Sequence, residues 1–230
     1  MNRTVIVTGG TGGLGAPVTR RFLADGWRVV VPWRVPAELD RLEPHDRLEL
    51  IEADLFDPSS VAASVERAAQ QPQAPLRAVV NLVGGFASGG RVHETPVEEF
   101  DRQLQLNLRP TYLTAHAALP YMLDGRGGSI ACVSSRAALR PFSGAAGYVT
   151  AKAAILALVD ALAVEYRDDR VRVNAVLPSV IDTPANRAAQ PDADTSRWVP
   201  PEEVAELLLF LCGDSSASVS GAHIPIYGRA

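Results

Sequence analysis

The sequence predicts one α/β domain built on a doubly wound, parallel, seven-stranded sheet. Three observations carry that prediction. Apolar runs of strand length alternate with helically spaced segments from end to end. The runs are continuous, as in Thr4-Val5-Ile6-Val7-Thr8, which suits strands covered on both faces. A glycine-rich turn, Gly9-Gly10-Thr11-Gly12-Gly13-Leu14-Gly15, joins the first run to the first helical segment.

The elements follow in order. Residues 4–8 form the first strand, and 14–25 a helix stopped by Gly26. Strand two covers 28–31, a short helix 36–42, and strand three 48–52. A helix over 59–70 is capped by Asp57 or Ser59. Strand four spans 78–83, and one long helix runs from 97 to 123. Strand five is 129–134. A second long helix runs from 148 to 166, with a start two or three residues earlier allowed. Strand six is 171–177, a helix covers 201–211, and strand seven 222–227. Residues 182–200 carry no clear pattern and read as a lid over a site.

Composition bounds the function. The chain has 230 residues, 47% hydrophobic and 21% charged, enough for one sizeable core. A net charge of −4, with arginines scattered along the chain, excludes a clustered nucleic-acid face. Apolar stretches are interrupted short of a membrane span, and no signal-peptide pattern opens the chain, so a cytoplasmic location is expected. Cys132 and Cys212 read as buried thiols, and no metal-ligand spacing occurs.

The turn has the context of a dinucleotide site. Glycines let backbone approach a pyrophosphate, and the helix that follows aims free N–H groups at the anion. Thr8-Gly9-x-x-x-Gly13-x-Gly15 resembles the cofactor motif of the short-chain dehydrogenase/reductase family, and Gly9, Gly12 and Gly15 also fit the spacing of its longer epimerase-like branch. The short chain favours the ordinary branch. The resemblance implies a Rossmann fold, a small-molecule substrate, and a nicotinamide cofactor contacted by Gly9, Thr11, Gly13, Leu14 and Gly15.

Strand two ends Trp33-Arg34. An acidic residue there would hold the ribose hydroxyls of NAD(H). Trp33 stands in its place, and Arg34 can fork onto a 2′-phosphate, so NADP(H) is favoured with NAD(H) the alternative. Glu38 is a rival acidic group. Asp54-Leu55 resembles the family's adenine-contacting pair, although Asp54 could instead cap the turn that follows.

Tyr148-Val149-Thr150-Ala151-Lys152 sets a phenol and an ammonium on one helix face. The Lys152 cation and the positive nicotinamide ring of an oxidised cofactor would lower the phenol's pKa and fit it to pass a proton to or from a substrate oxygen. The resemblance implies Ser135, thirteen residues before Tyr148, as the group holding the substrate oxygen. It implies Asn107 as the helix asparagine that supports a water chain to Lys152; simple exposure on a polar face is the alternative. Asn81 and Gly84 match the family's element after strand four, where Asn81-Leu82-Val83-Gly84 departs from Asn-Asn-Ala-Gly. Pro178, Ile181 and Thr183 match the element after strand six, with Ser179 replacing glycine.

The residues around Ile181-Asp182-Thr183-Pro184 and Trp198-Val199-Pro200 are similar to quinonoid dihydropteridine reductase, a relative of the same fold. Ser135, which that enzyme lacks, points instead to a carbonyl/alcohol couple. Reduction of a C=N bond and a non-catalytic dinucleotide sensor are the alternatives. Phe86, Arg136, Phe142 and Trp198 are candidate pocket residues. The alanine-rich faces of the two long helices imply, through the family, a homodimer or homotetramer.

Overall fold

The computed structural model describes residues 3–125 and 127–229. Seven strands lie in it: β1 (Thr4–Thr8), β2 (Arg28–Trp33), β3 (Leu48–Glu52), β4 (Leu76–Asn81), β5 (Gly128–Val133), β6 (Val171–Pro178) and β7 (His223–Ile226). All pair in parallel, in the order β3-β2-β1-β4-β5-β6-β7. The order reverses between β1 and β4, and this switch point opens the crevice where doubly wound sheets bind ligands. Met1 and Asn2, expected to lead straight into β1, lie outside the described residues.

Helices α1 (Gly15–Ala24) and α7 (Pro201–Cys212) cover one face; α2 (Pro58–Ala69), α4 (Arg109–Asp124) and α5 (Ala146–Glu165) cover the other. The strand residues alternate between the layers. Val5 and Val7 pack with Phe22, Leu208 and Leu211, whereas Ile6 packs with Val65, Met122 and its neighbours. Each such side chain, fully buried, contributes about 1.5–3 kcal/mol.

The long helix expected over 97–123 is two helices. α3 (Val97–Asn107) stops before α4, with Leu108 as the joint. Pro110 has no N–H to reach the Leu106 carbonyl, so the ladder breaks there. The crossover after β2 is a 3-10 turn, Pro36–Arg41. β4 begins and ends two residues earlier than expected. The stretch 182–200 is also more ordered than its sequence suggests: it contains α6 (Pro184–Ala189) and a 3-10 turn, Thr195–Arg197. Contrary to the expectation that apolar stretches stop short, α5 is long and apolar enough to cross a membrane. Here it covers the sheet, with Ile155 and Val159 buried in the core.

The two sheet edges are charged differently. At the strands' N-terminal edge, helices end, and arginines meet their carbonyls: Arg28 donates to Ala68 of α2, Arg77 to Gly125 after α4, and Arg172 to Leu211 of α7. At the opposite edge α1 opens with no side-chain cap and no acidic residue in its first turn. That leaves an N-terminus suited to an anion.

Candidate active site

The glycine turn is shaped by contact. Gly9 has φ +69°, and a Cβ on Gly15 would stand 1.9 Å from the Gly9 carbonyl oxygen. Only glycine fits at Gly15, so the turn folds tightly onto the start of α1, where Leu14 is the N-cap residue. Gly13 lies against Thr183 at the root of α6. Thr183 caps that helix by accepting the Asn186 N–H. The glycine turn and the segment after β6 thus touch, as a shared dinucleotide site requires, and the uncapped α1 terminus fits a pyrophosphate.

Residues 182–198 are bracketed by a single parallel bridge, Ile181 to Val199. The Ile181 carbonyl accepts from Thr183 and Asn186. Pro178 ends β6 opposite Ile226. Ser179, which replaces a glycine, donates its hydroxyl to the Tyr227 carbonyl.

Beside the glycine turn the structure ties Glu38, the rival acidic group, to Thr11 and to Arg41, a contact the sequence did not reveal. The Thr11 hydroxyl donates to Glu38 at 2.7 Å. Arg41 donates to the Thr11 carbonyl and pairs with the other Glu38 oxygen, both at 3.0 Å. The 3-10 turn delivers both side chains to the glycine loop; their separation of 27 and 30 residues from Thr11 hid the contact. Arg34 makes a loose, exposed pair with Asp54 at 3.4 Å. Such a pair holds weakly and leaves the guanidinium free to take a phosphate.

The side chains of three expected cofactor contacts have partners within the protein. Asp54 accepts the Phe56 N–H and so caps the turn after β3. Leu55 turns its side chain into the core against α2 and α4. Asn81 is buried, its amide spent on Thr8 and Cys132, because it points along the sheet and not out of it.

The catalytic candidates converge at the ends of β4 and β5. Lys152, on α5, is buried and donates to the Val133 carbonyl at 3.1 Å. Its Nζ lies 5.9 Å from the centre of the Tyr148 ring. Asn107 is fully buried, not exposed; its side-chain oxygen accepts the Gly85 N–H at 3.1 Å, and its amide donates to Gln103. A Cβ on Gly84 would stand 2.7 Å from the Asn107 oxygen and 3.0 Å from the Lys152 nitrogen, so both groups close on that glycine. Ser134 ties β5 to α5 by donating to the Lys152 carbonyl, which leaves Ser135 as the serine beside the phenol.

In the polypeptide alone Lys152 does not bring the Tyr148 phenol down: burial pushes its pKa up, and the Ser135 hydroxyl only pulls it partly back. Burial also brings the Lys152 ammonium down to about 8, opposed by the Cys132 thiol nearby. The polypeptide alone therefore holds a protonated phenol, ready to act as an acid.

Of the pocket candidates, Phe86 stands edge-on to Tyr148 with ring centres 5.1 Å apart, and Phe142 stands 6.1 Å from Phe86. Arg136 lies over the Tyr227 ring at 5.2 Å. The Trp198 carbonyl abuts Gly228. Among the described residues no His, Cys, Asp or Glu cluster could hold a metal.

Comparison with known proteins agrees with this fold. A family model described as short chain dehydrogenase matches residues 3–194. The 2-(R)-hydroxypropyl-CoM dehydrogenase of Xanthobacter autotrophicus is 34% identical over 99% of this chain and 98% of its own length. A short-chain type dehydrogenase/reductase from Mycobacterium ulcerans superposes with a TM-score of 0.91 at 27% identity, covering 99% of this chain and 89% of that one. The 3-ketoacyl-(acyl-carrier-protein) reductase from Brucella melitensis, solved with NADH, gives 0.87 at 27% identity, covering 99% and 98%.

Proposed function

The chain belongs to the short-chain dehydrogenase/reductase family and is a nicotinamide-dependent oxidoreductase of small molecules, and from that premise we propose that it interconverts a carbonyl and an alcohol with Tyr148 as the proton-transferring residue. The observation that carries this reading is the closure of Lys152 and Asn107 on Gly84, beside the Tyr148 ring and Ser135.

The bound dinucleotide supplies or accepts hydride at its nicotinamide ring. Ser135 holds the substrate oxygen by its hydroxyl. Tyr148 gives that oxygen its phenolic proton in reduction and takes it back in oxidation. Lys152 would bond the nicotinamide ribose and stabilise the phenolate left behind, and Asn107 holds the Gly85 N–H of the loop that would seat the ring. The raised phenol pKa keeps the proton on Tyr148 near neutrality, the form that reduction uses. Gly9, Thr11, Gly13, Leu14 and Gly15 would hold the pyrophosphate, with Ile181 and Thr183 the residues to meet the cofactor from the segment after β6.

NADP(H) is the preferred cofactor in this reading. Arg34, only loosely paired with Asp54, supports this, as does Trp33, which leaves β2 without the terminal carboxylate that selects NAD(H); Arg41 stands nearby but is held by Glu38. Residues 182–200 form the substrate lid. The outer face of α3, α4 and α5 carries a groove of Leu104, Leu108, Tyr112 and Leu158, which supports a homodimer or homotetramer built on those helices. The test is oxidation of NADPH and NADH against panels of ketones and dihydropterins, with sedimentation to give the mass. Turnover confined to dihydropterins would replace the carbonyl reading.

A further inference from the structure

Phe86 stands against the reacting phenol, Phe142 stands beside Phe86 on the far side, and both rings remain substantially exposed. Phe86 is 61% exposed and Phe142 49% exposed, although each touches another ring. Apolar rings left open beside a reacting group are surface that a ligand can bury. They come from separate loops, after β4 and after β5. One backbone bond joins those loops: the Gly89 N–H donates to the Gly144 carbonyl at 2.8 Å. Gly144 has φ +82°, and a Cβ there would meet the Gly89 oxygen at 2.4 Å, so the joint admits only glycine.

We propose that Phe86 and Phe142 are the specificity-determining residues, and that the substrate is a carbonyl compound bearing an aromatic or alicyclic ring next to the reacting carbon. The proposal rests on the assignment of Tyr148 above. With the carbonyl oxygen at the phenol and Ser135, the group on the carbonyl carbon lies beside the Phe86 ring, whose edge-on stance to Tyr148 fixes where that group stacks. A macromolecular partner on the same rings would cover the phenol, so the occupant is a small molecule. The Gly89–Gly144 bond ties together the two loops that carry the rings.

The experiment compares 1-phenyl-1,2-propanedione with 2,3-butanedione, which share the dione and differ by the ring. Each is titrated calorimetrically into wild-type protein saturated with oxidised dinucleotide, a mixture in which no hydride can move. The ring-bearing dione binds roughly tenfold tighter, and Phe86→Ala and Phe142→Ala each erase most of that preference. The exposure of both rings means the variants keep their fold, which circular dichroism verifies. Equal binding of the two diones by wild type, or a preference that survives in the double variant, overturns the proposal. Because binding is read without turnover, a failed Tyr148 mechanism leaves this result standing, and a failed ring preference leaves the mechanism standing.

Discussion

The side-chain oxygen of Asn107 accepts the backbone N–H of Gly85 at 3.1 Å, and so ties the end of α3 to the loop after β4. The amide of the same side chain bonds the Gln103 carbonyl and side chain. Asn107→Ala removes the partner of the half-buried Gly85 N–H, at about 0.5–1.5 kcal/mol and a few degrees of Tm. Because the loop seats the ring beside Lys152, kcat falls about tenfold or more while dinucleotide affinity changes little. Thermal melts, steady-state kinetics and a dinucleotide titration check this; unchanged kcat with a lowered Tm would make Asn107 purely structural.

A second expectation concerns pH. Burial lowers Lys152 from its ordinary value of 10.5 to about 8. Between those values the unfolded chain keeps a proton that the folded chain has released, so this group makes stability rise with pH. Cys132 works in the opposite sense. Its thiol is raised from 9.0 to about 11, so the folded chain keeps the proton longer and stability falls across that window. The windows overlap, and a difference between variants separates them. Lys152→Met removes the rising component and, by taking away the cation that pulls the Cys132 thiol down, deepens the falling one. Urea unfolding at several pH values from about 8 to about 10.5 then shows the variant losing stability with pH more steeply than wild type. Parallel curves would mean that Lys152 is not desolvated.

Cofactor choice turns on Glu38. Its carboxylate holds both Thr11 and Arg41, so the guanidinium is neutralised where a 2′-phosphate would sit. Glu38→Gln keeps an acceptor for Thr11 and releases Arg41. The ratio of kcat/KM for NADPH over NADH rises, by roughly tenfold. A fall in that ratio would place Arg41 outside the phosphate site.

Much of this was legible in the sequence, for local reasons. Continuous β-branched runs marked the strands, and the Gly9–Gly15 spacing and the Tyr148–Lys152 pair are contacts within one turn or one helix. What escaped depends on distance or on packing. Pro110 stands in the sequence, but the joint it forces at Leu108 was masked by apolar periodicity on both sides. Glu38 and Arg41 meet Thr11 only because the crossover shortens to a 3-10 turn. Leu55 and Asn81 matched a family pattern, yet which way each side chain turns is decided by the core around it. The rise of the Tyr148 phenol in the polypeptide alone comes from burial, which outweighs the Ser135 hydroxyl, and burial is not readable from a motif.

The central claim is that Tyr148 transfers the proton. Replacing it with phenylalanine keeps the ring that Phe86 packs against and removes only the hydroxyl. Measured as kcat on a reduced carbonyl panel, with dinucleotide binding followed by fluorescence, Tyr148→Phe loses about a hundredfold or more in kcat at unchanged cofactor affinity. Turnover within a few fold of wild type would contradict the account.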